Sequence, residues 1–182
     1  MNDLQQLTDE ALAVHVRTVD QESYRELVLR YEDRLRRYAF HLSRDEMRAA
    51  DIVQEAFLKA FINLQSFNPE RQFSTWIYRI VHNEAMNLLG KQAREIALPE
   101  DFDVASSEDI IADLASEEFR RQVETCIAEM PLLYAEPLAL AVFDGRSYEE
   151  ISDILRLPLG TVGTRIRRAK LLMHTLCQTK HR

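Results

Sequence analysis

The chain has 182 residues, 46% of them hydrophobic, and a formal net charge of -7. It is long enough for one domain or two small ones with real cores. Its two cysteines, Cys126 and Cys177, form no CxxC pair and suggest no disulfide framework, and its apolar runs are too short to span a bilayer.

Only four glycines and five prolines occur, and neither type precedes Pro69. So few breakers favour an all-α fold. The opening MNDLQQLTDE lacks a charged-then-apolar signal pattern, so the expectation is a soluble, cytoplasmic protein without membrane insertion.

Asp20 can cap a helix beginning near Gln21. Tyr24, Leu27, Val28, Tyr31, Leu35, Tyr38 and Leu42 recur at steps of three and four, one buried stripe. A second helix is predicted from about Asp45 to Leu64, with Ala49, Val53, Ala56, Phe57, Ala60, Phe61 and Leu64 on one face. SFNPERQF interrupts the pattern at Pro69. Ser74 can then cap a third helix carrying Trp76, Ile77, Ile80 and Val81, fading near Gly90. These three helices make a first domain over residues 1–94.

From Glu95 to Glu118 there are nine acidic residues and no lysine or arginine. Pro99, Ser106 and Ser107 add breakers, so residues 95–118 read as a linker. Helical patterning resumes near Phe119 and defines a second small domain, 119–182, punctuated by Pro131 and Pro137.

Within RSYEEISDILRLPLGTVGTRIRRAK (146–170), Gly145 can end one helix in the left-handed conformation. Ser147 and Glu150 fit a capping box that starts the next. Ile151, Ile154 and Leu155 point inward, Leu157 and Pro158 close that helix, and Pro158 suits the start of another. Two short helices around a short turn are a helix-turn-helix. On the second, Val162, Ile166, Ala169 and Met173 form the core stripe. Thr164, Arg167 and Arg168 face away, with Gly160 on the same face, Thr161 beside it and Arg165 on a flank. Outward arginines suit guanine and threonine suits a base edge in a major groove.

After Asp153 no acidic residue remains, against seven lysines and arginines. The charge is therefore segregated. Phosphate neutralisation supplies most non-specific affinity, so an acidic chain needs a partner to present its basic tail to DNA.

Such a partner surface is visible at RAADIVQEAFLKAF (48–61). With Val53 inward, Asp51, Glu55, Leu58 and Ile62 fall outward, with Gln54 beside them. Carboxylates mixed with Leu and Ile suit docking to another protein. In SFNPERQFSTWIYRIVHN, Phe67, Phe73, Trp76 and Tyr78 are interleaved with Arg71, Arg79, His82 and Asn83. Aromatics can stack on unpaired bases and Asn can hydrogen-bond a base edge; Phe73 and Trp76 can instead plug the core, the favoured reading for Trp76, whereas for Asn83 the base contact is favoured.

In order and spacing, DIVQEAFLKAF, FSTWIYRIVHNEAMNLL and RSYEEISDILRLPLGTVGTRIRRAK resemble the extracytoplasmic-function (ECF) sigma factors of bacterial RNA polymerase, the RpoE-like group most of all. The resemblance implies two small helical domains joined by a flexible acidic linker. It implies that region 2 (1–94) binds core polymerase at the clamp helices through Asp51, Gln54, Glu55 and Leu58. The loop Ser66–Phe73 would capture a flipped non-template base, with Phe67, Phe73, Trp76, Arg79, Asn83 and Lys91 as minus-ten candidates. Region 4 (119–182) would meet the polymerase flap and read the minus-thirty-five duplex through Gly160, Thr161, Thr164, Arg165, Arg167 and Arg168. Promoter DNA and an anti-sigma factor are the further implied partners; no cofactor or metal is.

Three positions depart from the family pattern. Gly163 stands where a basic residue is usual. Asn87 stands near a usual Asp, leaving Lys91 and Arg94 as the basic candidates there. Pro137 interrupts a usually unbroken helix and would shift its start. The alternatives to a sigma factor are a stand-alone helix-turn-helix regulator, a sigma-like mimic that binds an anti-sigma factor, and an enzyme. The five histidines lack HExxH spacing, His174 and Cys177 are a poor metal pair, and no phosphate loop or G-x-S-x-G elbow occurs.

Overall fold

A computed structural model describes residues 4–90 and 117–180, with side-chain environments for 4–90 and 121–176. The chain divides into two units, Met1–Gly90 and Lys91–Arg182, and the described residues of both are helical, with no strand among them. Lys91, Arg94 and residues 95–116 of the expected linker lie outside the described residues, and its last two residues, Glu117 and Glu118, begin a helix.

Unit 1 holds four helices, one more than the sequence reading expects: α1 (Asp9–Thr18), α2 (Tyr24–Ser43), α3 (Glu46–Asn63) and α4 (Phe73–Leu89). The additional helix is α1, capped by Thr8, whose hydroxyl accepts from the Ala11 N–H at 3.2 Å. It buries Leu12, Ala13 and Val16, too short a stripe to stand out by period. Asp20 accepts from the Glu22 N–H at 3.0 Å and starts a 3-10 turn, Gln21–Ser23, that runs into α2. The stripe of α2 is buried at Leu27, Tyr31, Leu35, Tyr38 and Leu42, and α2 packs on α3 and α4. Arg44 adopts the left-handed conformation (φ 57°) to end α2, and Asp45 caps α3 by accepting from the Arg48 N–H at 2.9 Å. Ser74 is not the cap of the third expected helix: α4 begins two residues sooner, with Gln72 as its cap residue and Phe73 as its first member.

Unit 2 holds α5 (Glu117–Ala128), α6 (Leu132–Val142), α7 (Tyr148–Leu155) and α8 (Leu159–Lys180). α8 packs against each of the other three, which is why Val162, Ile166, Ala169 and Met173 are at most 2% exposed. Pro137 does not break the helix, which runs from Leu132 to Val142. Pro131 opens α6, its carbonyl accepting from Tyr134 at 2.9 Å and Ala135 at 3.0 Å. Pro137 lies inside α6 and buried; surrounding burial of Tyr134, Leu138 and Leu140 compensates for the missing helical hydrogen bond. Cys126 on α5 is buried. The side chain of Cys177 lies outside the described residues.

The capping box of α7 is complete. Ser147 Oγ accepts from the Glu150 N–H at 3.2 Å, and Glu150 accepts from the Ser147 N–H at 2.8 Å. Burial pushes the Glu150 carboxyl up, but the Ser147 N–H and the Arg146 guanidinium outweigh it and hold it below its ordinary 4.5. A depressed carboxylate stabilises the fold above its unfolded pKa, and that contribution is lost as pH falls through the folded value. Ser147→Ala should therefore cost about 1 kcal/mol, a fall of roughly 4–8 °C in the melting of unit 2. The Glu150 contribution should fade below pH 4.5 in thermal melts followed by circular dichroism.

Arg156 ends α7 in the left-handed region (φ 53°), its N–H bonded to the Ser152 carbonyl. A residue with a Cβ is strained there. Arg156→Gly should raise the same melting transition by about 1 kcal/mol of stability; an unchanged or lower midpoint would contradict this.

Candidate partner and nucleic-acid interfaces

α3 presents one apolar face inward and a mixed face outward. Ile52, Val53, Ala56, Phe57 and Ala60 are buried. Asp51, Gln54 and Glu55 are exposed, and so are Leu58 (52%) and Ile62 (74%). The four sequence-predicted docking residues thus share one surface. Lys59 pairs with Glu84 of α4 and lies 3.6 Å from Glu55, which orders the lower edge of that face.

Beside it runs a groove of about 660 Å³ that the sequence reading missed. Tyr24 and Val28 of α2 form one wall; Val53, Phe57, Leu58 and Phe61 of α3 form the other. Tyr24 donates its hydroxyl to the Phe57 carbonyl at 2.8 Å, and burial pushes its phenol well above the usual value. Phe61, placed by periodicity on the core stripe, is 41% exposed and lies 5.0 Å, ring to ring, from Tyr24. The adjacent exposed Leu58, Phe61 and Ile62 were the available signal.

The segment before α4 carries the minus-ten candidates. Two of them are buried. Phe67 and Phe73 are 2% and 1% exposed, edge to face at 5.4 Å, so neither ring offers an open face to a base. Trp76 packs 5.2 Å from Phe67 and 5.6 Å from Phe73 and is half-buried. Three aromatic rings clustered this way bury apolar surface and gain edge-to-face contact. The exposed residues of the loop are Ser66 and Asn68 to Gln72. Asn68 shapes them: its side chain accepts from the Glu70 N–H and its carbonyl from the Arg71 N–H, both at 3.0 Å. Along α4, Trp76, Arg79 and Asn83 follow at steps of three and four, all half-buried, so they share one face. Asn87 continues that face one turn on and is exposed.

In unit 2, α7 and α8 form the helix-turn-helix. The Leu157 N–H returns to the Ser152 carbonyl at 3.1 Å, and Ser152 Oγ donates to the Leu157 carbonyl at 2.6 Å, fixing the turn. Gly160, Thr164 and Arg167 are exposed on the outer face of α8, and Thr161 and Arg168 are half-buried beside them. Thr164 donates to the Gly160 carbonyl at 2.8 Å, which leaves its methyl and an oxygen lone pair outward. A side chain at Gly163 would meet only Tyr148, at 3.9 Å, so sterics do not demand this glycine. Arg165 differs from its neighbours. Burial lowers its pKa, and the charge of Glu136, itself 7% exposed on α6, opposes that. Arg165 is thus half-buried on the flank of α8, within the field of Glu136 on α6, and less open than Arg167.

Among the described residues no helix is long and apolar enough to cross a membrane, and no cluster of three or more His, Cys, Asp or Glu could hold a metal ion.

The chain thus combines a four-helix unit bearing an exposed apolar-acidic face with a unit that contains a helix-turn-helix, a motif of DNA-binding proteins. Residues 27–95 match the Sigma-70 region 2 family and 120–173 match the Sigma-70 region 4 family. The chain is 36% identical to the ECF RNA polymerase sigma-E factor of Haemophilus influenzae, over 96% of this chain and 97% of the relative. In fold it is similar to CnrH, seen in complex with the cytosolic domain of CnrY (TM-score 0.70, 24% identity, 94% of this chain and 97% of the other). It is also similar to the sigma factor RpoE of Bartonella quintana, seen with the anti-sigma factor NepR (TM-score 0.64, 22% identity, 86% and 98%). The chain belongs to the ECF sigma factors of bacterial RNA polymerase.

Proposed function

We propose that this sigma factor works by delegation: core RNA polymerase holds both units, and each then makes one weak promoter contact. Region 2, residues 1–94, docks on the polymerase clamp helices through Asp51, Gln54, Glu55 and Leu58. Its loop and the α4 face of Trp76, Arg79 and Asn83 meet the melted minus-ten element, with Lys91 beyond them. Residues 95–118 link it to region 4, residues 119–182, which lies at the flap and reads the minus-thirty-five duplex with Thr164, Arg167 and Arg168. The N-terminal turn of α8, at Gly160 and Thr161, suits a backbone phosphate. Tethering both units to one enzyme makes the second contact effectively intramolecular. The factor itself performs no covalent chemistry and works in the cytoplasm, where polymerase is. An anti-sigma factor controls it by covering the α3 face.

The observation that carries this reading is the exposed Leu58 and Ile62 amid carboxylates on α3, a surface that a stand-alone operator-binding protein does not need. The test is transcription in vitro: core polymerase plus this chain, on a genomic library, with start sites mapped. Reproducible start sites sharing two spaced motifs are expected. Failure to co-purify with core polymerase, together with tight binding of isolated duplex at moderate salt, would refute it.

A further inference from the structure

α1 precedes the residues that match the region 2 family, which begin at 27, yet it ties both ends of the exposed loop. At the upstream end, Arg17 Nη1 donates to the Phe67 carbonyl at 2.9 Å and to the Gln65 carbonyl at 3.4 Å. At the downstream end, the Phe73 N–H donates to Glu10 Oε1 at 2.9 Å. Glu10 and Arg17 are seven residues apart, two helical turns, and so lie on one face of α1.

Each tie does work that the local sequence leaves undone. Gln72, the cap residue of α4, makes no capping bond; its side chain accepts from Thr75 Oγ1 at 3.1 Å instead. Glu10 supplies the missing cap from 63 positions away, and its charge faces the positive end of the α4 dipole. The Gln65 and Phe67 carbonyls follow the end of α3, where helical partners run out, and a guanidinium is suited to hold two such acceptors at once.

The helix that bears these groups is itself braced on its other side. Arg30 of α2 bonds Asp9 and the Leu7 carbonyl through Nη1, at 2.8 and 2.9 Å, and the Leu4 carbonyl through Nη2 at 2.7 Å. Tyr31 donates to Asp9 as well. Leu12, Ala13 and Val16 are sealed in the core. Between the two ties, only Asn68 to Gln72 are exposed.

We propose that Glu10 and Arg17 are positioning residues for minus-ten recognition, holding the loop 65–73 in the shape that receives single-stranded promoter DNA. This rests on the reading that the loop meets the non-template strand. A loop already fixed at both ends loses little conformational freedom on binding; one with a loose end must be ordered by the DNA itself.

The test uses the full chain assembled with core polymerase. The probe is the single-stranded non-template segment of a promoter at which the wild-type holoenzyme starts transcription. Arg17→Met keeps the aliphatic stem and removes both carbonyl ties. Glu10→Ala removes the cap, whereas Glu10→Gln keeps an acceptor oxygen. Arg17→Met and Glu10→Ala should each weaken binding of the strand about tenfold, and Glu10→Gln should restore it to within about twofold. Affinity for core polymerase and for duplex minus-thirty-five DNA should stay within about twofold throughout, the remote-site expectation. Arg17→Lys, which keeps one donor, should fall between wild type and Arg17→Met and serves if the methionine variant does not fold.

Unchanged strand binding in Arg17→Met and Glu10→Ala overturns the proposal. So does a parallel loss of core affinity, which would mean only that unit 1 is destabilised, and so does a Glu10→Gln variant no better than Glu10→Ala. Glycine replacement of Asn68 to Arg71 separates the two levels. If it leaves strand binding intact, the loop reading itself fails; if it abolishes binding while the α1 variants do not, only the positioning role fails.

Discussion

Replacing Arg167 and Arg168 together with alanine is expected to lower transcription from minus-thirty-five-dependent promoters by about a hundredfold, with core binding unchanged. A bidentate arginine-guanine pair contributes about 1–3 kcal/mol of discrimination, and two neighbouring arginines do not add fully, so about 3 kcal/mol is a reasonable joint loss. The fold should tolerate the change. Arg167 is exposed and Arg168 half-buried, while α8 is anchored by Val162, Ile166, Ala169 and Met173. The acidic surface elsewhere sharpens the effect, because a chain of net charge -7 has little general phosphate attraction to fall back on. The check is a side-by-side measurement of run-off transcription and core affinity. If only one arginine reads a base and the other a phosphate, the phosphate contact will show as a shallower salt dependence. Equal transcription by wild type and double mutant would remove both residues from the reading head.

The second large effect is expected from Leu58→Asp. Leu58 is 52% exposed, so an aspartate there is hydrated in the free protein and the four-helix unit should melt as before. On docking, the variant forfeits the burial of a leucine, roughly 1.5–3 kcal/mol, and forces a carboxylate out of water beside Asp51 and Glu55. Core affinity should therefore fall about a hundredfold or more. The groove predicts a companion result: Phe61→Ala, which removes one of its lining rings, should weaken docking by about tenfold, as moderate interface truncations do. Fluorescence anisotropy of labelled protein titrated with core polymerase measures both. Wild-type affinity in Leu58→Asp would show that the outer face of α3 is not the docking surface.

The periodic stripes of α2, α3 and α8 were legible in the sequence because burial and helical turn repeat together: Leu27, Leu35, Ile166 and Met173 stand where a period of 3.6 puts them, and they are buried. The start of α7 was legible because a capping box spans four residues. The outward placement of Asp51, Gln54, Glu55 and Leu58 follows from the same arithmetic once Val53 is inward. α1 escaped notice because three buried residues in ten make a weak period.

Composition alone also leaves some placements open. Phe67 and Phe73 look the same in a sequence whether they stack on a base or on each other. The ring-to-ring packing of Phe67, Phe73 and Trp76 depends on how α4 meets the end of α3. Arg165 looks like its neighbours Arg167 and Arg168 until α6 brings Glu136 into its field.

What the sequence determined alone is local: which residues form helices, where most of them start and which face is apolar, since capping and periodicity act over a few bonds or one turn. What the tertiary structure decided is every pairing between distant segments. Glu10 capping α4, Arg17 holding the end of α3 and the open groove beside Phe61 all arise from packing. The energy of such contacts depends on distances in space that chain separation does not encode.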